Sequence, residues 1–419
     1  MKLFLTLAGI ALWGWTTAQT QLTETPDVSQ AASVMQQIGL TRIQVDYHRP
    51  SVQGRTVWGE LIPYGQVWRG GANENTTITF STEVVINDQS LAAGCYGLHF
   101  LVMEDQATVI FSNNHTSWGS FSYSEDEDAL RVTVPIVAAA PPQEWLTYSF
   151  NDLKPATATC SVTWGDRSIA FQIGVDVHET VVADLQEQLR SKAGWSWQGW
   201  HEAAGYCLNN NTHLSQGLQW AVRSVVMNPN GPNIIRKAQL TSAAQSLQGN
   251  QAIDAQMQSI QSDLDRGNVT WKEYSAAASY AAGKARLDEA GIWADVAIKQ
   301  GGGMTPAMVK VNILEKQGKS GPAKELKEKA IAAGSNQELN TYGYQLLYGG
   351  KTKEAVEIFE ANVAKNGDDP NVWDSLGEGY LMAGEMAKAS EALKKCLSLN
   401  PPPVLKTHAE ALMKQIMIN

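Results

Sequence analysis

Short runs in which apolar and polar residues alternate fill the chain from Thr41 to about Val177. The runs cover residues 41–47, 76–81, 83–86, 97–102, 107–111, 130–134, 144–150, 158–164 and 168–173. Turn-forming residues separate them, and Asn87-Asp88 and Gly165-Asp166 have the composition of hairpin tips. Short alternating runs at nearly regular spacing indicate strands with one buried face. The pattern therefore predicts an antiparallel β-sandwich or barrel over residues 37–178, preceded by a polar leader at residues 19–36.

The pattern changes near His178, where alanine, leucine, glutamine and lysine recur with helical spacing. Repetition is clearest at Trp373, Leu376, Gly377, Tyr380, Ala389 and Pro401 and, one period earlier, at Gly343, Ala355 and Phe359. This order of residues is that of the tetratricopeptide repeat, a helical hairpin that stacks on its neighbours. The same phase continues back to hairpins that begin near Thr305, Trp271, Asn233 and Trp200. We predict a linker helix at residues 179–194 and an α-solenoid of tetratricopeptide-like hairpins at residues 195–419.

The first eighteen residues have a different composition from the rest of the chain. Lys2 precedes an apolar run from Leu3 to Trp15, and small residues follow up to Ala18. A charged start, a short apolar segment and small residues before a cleavage point are the pattern of a secretory signal peptide. The apolar run is too short to cross a bilayer as a helix. We expect cleavage near Ala18 and an exported protein, either periplasmic or secreted.

The net charge argues against one class of partner, and the cysteine spacing argues against one class of metal site. The formal net charge is −10, and loss of Lys2 with the signal peptide makes it −11. Phosphate backbones are bound by basic surfaces, so this balance argues against a nucleic-acid partner. The cysteines, Cys95, Cys160, Cys207 and Cys396, have neither Cys-x-x-Cys pairing nor zinc-site spacing. Cys95 and Cys160 lie on predicted strands, where they are either a disulfide of an oxidising compartment or two buried thiols.

Several catalytic signatures begin in this sequence and are incomplete. His201-Glu202 opens like a zinc-protease motif, but Gly205 stands at the second ligand position. Residues 349–352 lack the upstream glycine of a phosphate loop, and the acidic residues 125–128 fit a solvated turn better than a calcium loop. Packing of the first hairpin against the β domain is favoured over a sugar platform for Trp195, Trp197 and Trp200. We assign no catalytic residue, no metal and no cofactor.

Residues 47–76 are dense in arginines, aromatic side chains and turn-forming residues. Guanidinium groups bind carboxylates and other anions through forked donors, and aromatic rings form the walls of ligand sites. The candidate ligand-binding residues are Arg49, Arg55, Trp58, Tyr64, Trp68, Arg69, Asn73 and Glu74. The structural alternative is a long irregular connection held by Arg–Glu pairs, buried tryptophans and turns. The residues by themselves leave both interpretations open.

These motifs resemble a largely bacterial family catalogued as domain of unknown function 2911. The matching positions are Tyr47, Arg49, Pro50, Gly54, Arg55, Trp58, Gly59, Pro63, Tyr64, Gly65, Trp68, Arg69, Gly71, Ala72, Asn73, Glu74 and Thr76. The similarity extends over roughly residues 30 to 177, although Cys95 stands where many relatives have threonine. The resemblance implies a secreted β domain, in some members followed by tetratricopeptide-like repeats, and one shared site at the Arg/Trp/Asn/Glu cluster. It implies no activity.

The sequence as a whole predicts an exported, non-enzymatic binding or adaptor protein of the bacterial cell envelope. Its helical repeats would hold a protein or peptide partner. Its β domain would present the Arg/Trp/Asn/Glu surface to a small anionic or sugar ligand. The alternative is an envelope hydrolase or ligand-modifying enzyme with its site around Arg69, Asn73 and Glu74. A third hypothesis gives this cluster a purely structural role. No further membrane span is expected.

Overall fold

The computed structural model describes residues 26–418. The chain divides into two compact units, of which the first ends at Val181 and the second begins at Val182. We refer to them as the β unit and the helical unit. The predicted signal peptide at residues 1–18 lies outside the described residues. Among the helices that are described, none has the length and apolar character needed to cross a membrane.

The β unit contains ten strands within the described residues. They are β1 (Gln30–Ile38), β2 (Thr41–Arg49), β3 (Val67–Trp68), β4 (Thr77–Phe80), β5 (Val84–Ile86), β6 (Gln89–Leu91), β7 (Gly94–Val102), β8 (Gln106–Ser112), β9 (Asp128–Lys154) and β10 (Thr157–Gly174). Their order is β1-β2-β4-β7-β8-β9-β10-β5-β6, and β3 pairs with β7. The pairings are antiparallel, which confirms the predicted architecture.

The long strand β9 belongs to both layers of the unit. Residues 128–135 of β9 pair with β8, and residues 136–154 pair with β10. The layers face each other, because Phe111 of β8 meets Phe171 of β10 edge to face at a centroid distance of 5.6 Å. At the other side, Leu146 N donates to Pro50 O at 3.0 Å and joins the end of β2 to β9. The result is a sandwich that partly closes into a barrel around one apolar core.

Four of the predicted strands merge into two in the structure. Residues 130–134 and 144–150 both lie in β9, and residues 158–164 and 168–173 both lie in β10. The hairpin tip predicted at Gly165-Asp166 is wrong, because these residues lie inside β10 where its register with β9 shifts. Gly165 has φ +60°, which glycine adopts without a steric penalty. A bulge interrupts the alternation of apolar and polar residues just as a turn does, so the sequence pattern does not distinguish a bulge from a turn.

The other predicted tip is confirmed, and the predicted leader is corrected. Asn87 and Asp88, with φ of 42° and 70°, connect β5 to β6 in a two-residue hairpin. Residues 30–36, expected in a polar leader, belong to β1, which pairs with β2 along its full length. Ala32 and Val34 pack against the core while their neighbours are exposed. The alternation is obscured in the sequence because Ala31 and Met35 lie on the exposed face and Gln36 lies on the half-buried face.

The helical unit and the helix that leads into it contain fourteen α-helices within the described residues. They are α1 (Val177–Gln188), α2 (Trp197–Asn209), α3 (Leu214–Met227), α4 (Gly231–Ala244), α5 (Gly249–Leu264), α6 (Trp271–Gly283), α7 (Leu287–Lys299), α8 (Met304–Lys316), α9 (Ser320–Ala333), α10 (Asn336–Tyr348), α11 (Thr352–Asn366), α12 (Pro370–Met382), α13 (Met386–Ser398) and α14 (Pro403–Ile418). From α2 to α13 they form six hairpins, and the predicted tetratricopeptide-like solenoid is confirmed. The segment 349–352 forms the turn from α10 into α11.

The repeat signature residues build the contacts between these helices. Ala355, Phe359 and Ala389 are fully buried. A Cβ on Gly377 would lie 2.6 Å from Leu393 Cγ, so this glycine lets α12 approach α13 closely. Trp373 Nε1 donates to Gly367 O at 2.8 Å and fixes the start of α12. The remaining signature positions lie in or beside the same interfaces: Gly343, Leu376 and Tyr380 in helices, and Pro401 between α13 and α14.

All four cysteines are free thiols in this structure. Cys160, Cys207 and Cys396 are buried, and Cys95 is half-buried. Burial raises the pKa of the Cys160 thiol, which keeps it protonated and unreactive at neutral pH. Of the two alternatives left open for Cys95 and Cys160, the structure therefore shows thiols.

Candidate functional site

The connection from β2 to β4 carries most of the predicted site residues and is anchored by three tryptophans. Trp58 is 7% exposed, and its Nε1 donates to the carbonyl of Trp164 at 2.9 Å. Trp68 stacks on Trp164 with ring centroids 6.2 Å apart and meets Trp58 edge to face at 6.0 Å. Because Trp164 lies on β10, these contacts attach the irregular connection to a regular strand.

Two of the predicted arginines hold backbone in place. Arg49 Nε donates to Leu146 O at 2.9 Å, and its Nη2 donates to Thr147 Oγ1 at 2.7 Å. Arg55 Nη2 donates to Ser51 O at 2.6 Å, and its Nε donates to Val52 O at 3.0 Å. Arg49 therefore acts as a structural link between β2 and β9. Arg55 forms hydrogen bonds within its own loop, and its side chain is exposed.

Arg69 is held differently, by a single carbonyl and a ring. Its Nη1 donates to Asn73 O at 2.6 Å, and its guanidinium carbon lies 5.3 Å from the centroid of the Phe121 ring. Asn73 has φ +56°, and its amide donates to Ser29 O at 3.3 Å. A Cβ on Gly119 would lie 2.6 Å from Arg69 Nη1. Glycine at that position lets the loop that carries Phe121 close over Arg69.

These side chains surround an open cleft of about 530 Å³, which we call the arginine cleft. It is lined by Val28, Ser29, Pro50, Ser51, Gln53, Arg55, Leu61, Ile62, Trp68, Arg69, Gly71, Ala72, Asn73, Trp118, Phe121 and Trp164. This lining includes two arginines and no aspartate or glutamate. Residues 1–181 as a whole contain eight lysines and arginines against 18 aspartates and glutamates. The cleft is thus a locally cationic site in an acidic unit.

The cleft brings together some of the residues predicted from the sequence and not others. The lining of the cleft includes Arg55, Trp68, Arg69 and Asn73 but excludes four predicted residues, Arg49, Trp58, Tyr64 and Glu74. Tyr64 covers Gly59 instead, since a Cβ there would lie 3.0 Å from the tyrosine ring. Trp118, Phe121 and Trp164 were not predicted. They come from distant segments and no motif in the sequence connects them to residues 47–76.

A buried histidine lies behind the cleft. His99 of β7 is 2% exposed, and its Nδ1 is hydrogen-bonded to Ser120 Oγ at 2.9 Å. Burial, followed by the positive charge of Arg69, lowers the pKa of His99 to about 4. Its imidazole is therefore neutral at physiological pH. Arg69 consequently faces the cleft without an added positive charge behind it.

The three residues of the enzyme hypothesis are not brought together. Arg69 and Asn73 line the arginine cleft, whereas the Glu74 carboxylate lies 3.3 Å from His48 Nε2. Asp27 is 3.8 Å from the same nitrogen. The three groups Asp27, His48 and Glu74 have ligand atoms that all lie within 4.8 Å of one another. Nothing in the spacing of these three residues along the chain points to the cluster.

The remaining sequence signatures occupy structural positions. Residues 125–127 form a short 3₁₀ helix, and Arg131 pairs with Asp128 at 2.9 Å and with Glu125 at 3.5 Å. His201 is half-buried, and burial and then Arg236 lower its pKa. Trp195 is 84% exposed, whereas Trp200 donates its Nε1 to Gly194 O at 2.9 Å.

The helical unit carries a second candidate surface, on α10 and α12. Tyr344 donates its hydroxyl to Glu378 Oε2 at 2.8 Å. Tyr348, one turn further along α10, is 71% exposed and stacks on Tyr344 with centroids 5.6 Å apart. The Oδ1 atoms of Asn340 and Asp374 are buried and accept no hydrogen bond from the described residues. We call Asn340, Tyr344, Tyr348, Asp374 and Glu378 the tyrosine surface.

Comparison with known proteins finds one family model that is similar to the β unit. Residues 29–173 match the family model described as "Protein of unknown function (DUF2911)", which confirms the resemblance found in the sequence. The helical region follows directly. No curated protein matches the chain significantly.

Solved structures similar to the chain are tetratricopeptide-repeat proteins of low sequence identity. YrrB, titled a TPR protein with an unusual peptide-binding site, is 18% identical, with a TM-score of 0.22, over 46% of this chain and 97% of that one. A tetratricopeptide repeat protein from Parabacteroides merdae is 13% identical, with a TM-score of 0.24, over 54% and 86%. Yeast Tom70 is 12% identical, with a TM-score of 0.28, over 57% and only 43%. With TM-scores this low, these neighbours establish nothing about function here.

Proposed function

We propose that the protein is an exported, non-enzymatic binding protein. In this proposal the β unit takes a small anionic ligand in the arginine cleft, and the helical repeats hold a protein or peptide segment. The observation that carries the proposal is the arginine cleft, with two arginines, stacking tryptophans and no carboxylate in its lining. Its volume lies within the usual range for small-molecule sites.

The chemistry of the cleft favours a ligand with one anionic group and one flat apolar part. Among residues 26–418, no aspartate or glutamate forms an ion pair with Arg55 or Arg69. Their hydrogen bonds to carbonyls leave the positive charge uncompensated. A carboxylate would compensate it through charge-assisted hydrogen bonds. The exposed faces beside Trp68 and Trp118 would stack on an aromatic or other flat group.

A matched pair of small probes tests this site. N-acetylphenylalanine carries a carboxylate and a ring, and N-acetylphenylalaninamide has the same shape without the charge. We expect the full chain to bind the acid, measured by calorimetry or tryptophan fluorescence, and to bind the amide at least tenfold more weakly. Arg69→Ala should weaken binding of the acid by about 10- to 100-fold, as loss of a hydrogen bond to a charged group does. Arg69→Lys should recover it only in part, because lysine lacks the fork.

Arg42→Ala is the control, since Arg42 is exposed and lies outside the cleft. Equal binding of the acid and the amide, or equal loss in Arg42→Ala and Arg69→Ala, would contradict an anion site. Glu74→Gln separates the binding hypothesis from the enzyme hypothesis. We expect this variant to bind the acid unchanged, because Glu74 is absent from the cleft lining. Turnover of an envelope substrate that Glu74→Gln abolishes would favour the enzyme.

For the helical repeats, the tyrosine surface favours a partner segment that supplies hydrogen-bond donors and a positive charge. Asn340 Oδ1 and Asp374 Oδ1 accept no hydrogen bond from the described residues, Asp374 Oδ2 lies 2.8 Å from His408 Nδ1, and the Tyr348 ring is exposed. A guanidinium can stack on tyrosine and pair with a carboxylate at the same time. The partner expected here is a peptide that contains arginine.

Peptide display with the full chain tests this second part of the proposal. We expect enrichment of arginine-containing peptides and a loss of at least fivefold in affinity with Tyr348→Ala. Trp195→Ala is a matched control, because it removes another exposed aromatic side chain from the same unit. No enrichment, or equal losses with the two variants, would argue against the tyrosine surface.

Export is the part of the proposal that rests on the sequence alone. Mass spectrometry of the protein recovered from bacterial envelope and medium fractions tests it. The expected product begins at Gln19, directly after the small residues that end the apolar segment. A product that retains Lys2 and remains in the cytoplasmic fraction would refute export.

A further inference from the structure

Three side chains of metal-ligand type from three separate segments meet on the solvent face of the β1–β2 pair. Asp27 precedes β1, His48 lies near the end of β2, and Glu74 precedes β4. The Nε2 atom of His48 is 3.3 Å from Glu74 Oε2 and 3.8 Å from Asp27 Oδ2. We propose that Asp27, His48 and Glu74 bind one divalent transition-metal ion, with zinc as the best match. None of these three residues lines the arginine cleft.

The spacing of the ligand atoms fits a single ion. Zinc binds histidine nitrogen and carboxylate oxygen at roughly 2.0–2.2 Å, so a tetrahedral site places its ligand atoms roughly 3.4 Å apart. The separations from His48 Nε2 to the two carboxylates lie on either side of that value. All three ligand atoms also lie within 4.8 Å of one another. Small rotations of the carboxylate side chains would therefore complete the arrangement.

The burial and charge of the three residues also suit a bound cation. The His48 side chain is 16% exposed, so β2 holds its ring in place. The carboxylates are 56% and 54% exposed, which leaves them free to rotate and leaves the site open to an ion. Among residues 26–418, no lysine or arginine pairs with Asp27 or Glu74. The triad therefore contains two carboxylates that have no lysine or arginine partner among the described residues.

A separate observation at the same place is an unsatisfied oxygen. A surface depression of about 450 Å³ is lined by Ala31, Ala32, Ser33, Asp46, Tyr47, His48, Glu74 and Asn75. Asn75 is 7% exposed, and its Oδ1 accepts no hydrogen bond from the described residues. A buried amide oxygen without a donor is unfavourable, and amide oxygens are ligands that divalent ions accept. Asn75 lines this depression together with His48 and Glu74, and its Nδ2 donates to Asn114 O at 3.4 Å.

A ligand set of one imidazole and two carboxylates favours some metal ions over others. Mixed nitrogen and oxygen ligands suit zinc and manganese, whereas calcium and magnesium favour sites built from oxygen alone. The competing explanation is an ion pair between protonated His48 and its two acidic neighbours, which needs no metal. The two explanations differ in whether the protein binds zinc and in which residues binding depends on.

Calorimetric titration of zinc into the chelator-treated full chain, without an affinity tag, tests the proposal. We expect one equivalent of zinc to bind. His48→Ala should weaken binding by about 100-fold or more, since loss of even an outer partner of a metal ligand costs 10- to 100-fold. Glu74→Gln should weaken it by at least tenfold. The matched controls are His115→Ala and Glu60→Gln, because both positions are exposed and lie outside the triad. They should bind zinc as the unchanged chain does.

X-ray absorption of the zinc-loaded chain gives a second measurement. The expected spectrum has a first shell of nitrogen and oxygen at roughly 2.0–2.1 Å. A sulfur shell would assign binding to a thiol such as Cys95 and overturn the proposal. Absence of zinc binding, or equal binding by His48→Ala and His115→Ala, would also overturn it and leave the ion pair as the explanation.

Discussion

The β unit and the helical unit make their side-chain contacts at very different separations along the chain. In the helical unit, Trp293 reaches Gln261 across 32 residues, and Tyr344 reaches Glu378 across 34. In the β unit, Arg49 reaches Thr147 across 98 residues, and Trp58 reaches Trp164 across 106. The first separations equal about one repeat, whereas the second span most of the unit.

This difference follows from architecture. A stack of hairpins makes most of its contacts between neighbouring repeats, so one period in the sequence is also the distance between partners. A sandwich pairs strands from distant parts of the chain, and the separation of partners has no fixed value. The destabilisation caused by one substitution should therefore be confined to neighbouring repeats in the helical unit, whereas in the β unit it should affect all strands.

The largest expected effect comes from two separate variants, each of which removes one fully buried phenylalanine from one of the two units. Phe111→Ala and Phe359→Ala each remove a ring with 0% exposure and should each cost about 3–5 kcal/mol of unfolding free energy. Hydrogen exchange should show faster exchange throughout β1–β10 for Phe111→Ala. For Phe359→Ala, it should show faster exchange in α10–α13 and little change in α2–α5. Uniform loss of protection across all repeats would contradict the proposed difference.

The next largest effect is pH dependence in the β unit. Because the pKa of His99 is about 4 when folded, and an unfolded histidine has about 6.5, the unfolded chain binds an extra proton between these values. Stability should therefore fall as pH drops from 6.5 to 4, by up to about 3 kcal/mol.

Urea unfolding at several pH values measures this loss of stability, and an NMR titration of the His99 ring measures the pKa of His99 directly. His99→Gln should flatten the dependence, and His115→Gln, at an exposed position, should leave it unchanged. A His99 resonance that titrates near pH 6.5 would refute the assignment.

A smaller effect tests close helix packing in the repeats. Gly377→Ala places a Cβ 2.6 Å from Leu393 Cγ and should cost about 1–3 kcal/mol through overpacking. Gly283→Ala is the matched control, since no atom lies within 4 Å of its Cβ position. Alanine favours a helix over glycine, so the control should be stabilised by up to about 1 kcal/mol. Thermal unfolding distinguishes the two, and equal shifts would show that the α12–α13 approach is not tight.

The smallest effect is the loss of one helix cap. Asp369 Oδ1 accepts a hydrogen bond from Asn371 N at 2.9 Å at the start of α12, and its Oδ2 accepts one from Asn336 Nδ2 at 2.7 Å. Asp369→Ala should cost about 1 kcal/mol, whereas Asp369→Asn keeps an accepting oxygen and should cost less. Hydrogen exchange should place the change in α12 and its neighbours. An equal effect of the two substitutions would assign the loss to the charge of Asp369 rather than to the cap.

Sequence patterns were sufficient to predict the two fold classes and the repeat interfaces. Residues such as Gly377 and Phe359 recur with a fixed period because each hairpin buries the same face against the next. The sequence also located the connection that contributes Arg55, Trp68, Arg69 and Asn73 to the arginine cleft. Alternation likewise located segments of β2, β4, β5, β7, β8, β9 and β10, because one face of each strand is buried, but it did not locate β1, β3 or β6.

Which of these side chains share a site depends on how distant segments pack in three dimensions. The arginine cleft needs Trp164 from β10 and Phe121 from a distant loop, and the proposed metal triad joins Asp27, His48 and Glu74 across three segments. Alternation records which face of a strand is buried but not which strand lies beside it. Pairing between distant strands depends on the folding of the whole unit, so neighbours far apart in the chain leave no local pattern in its sequence.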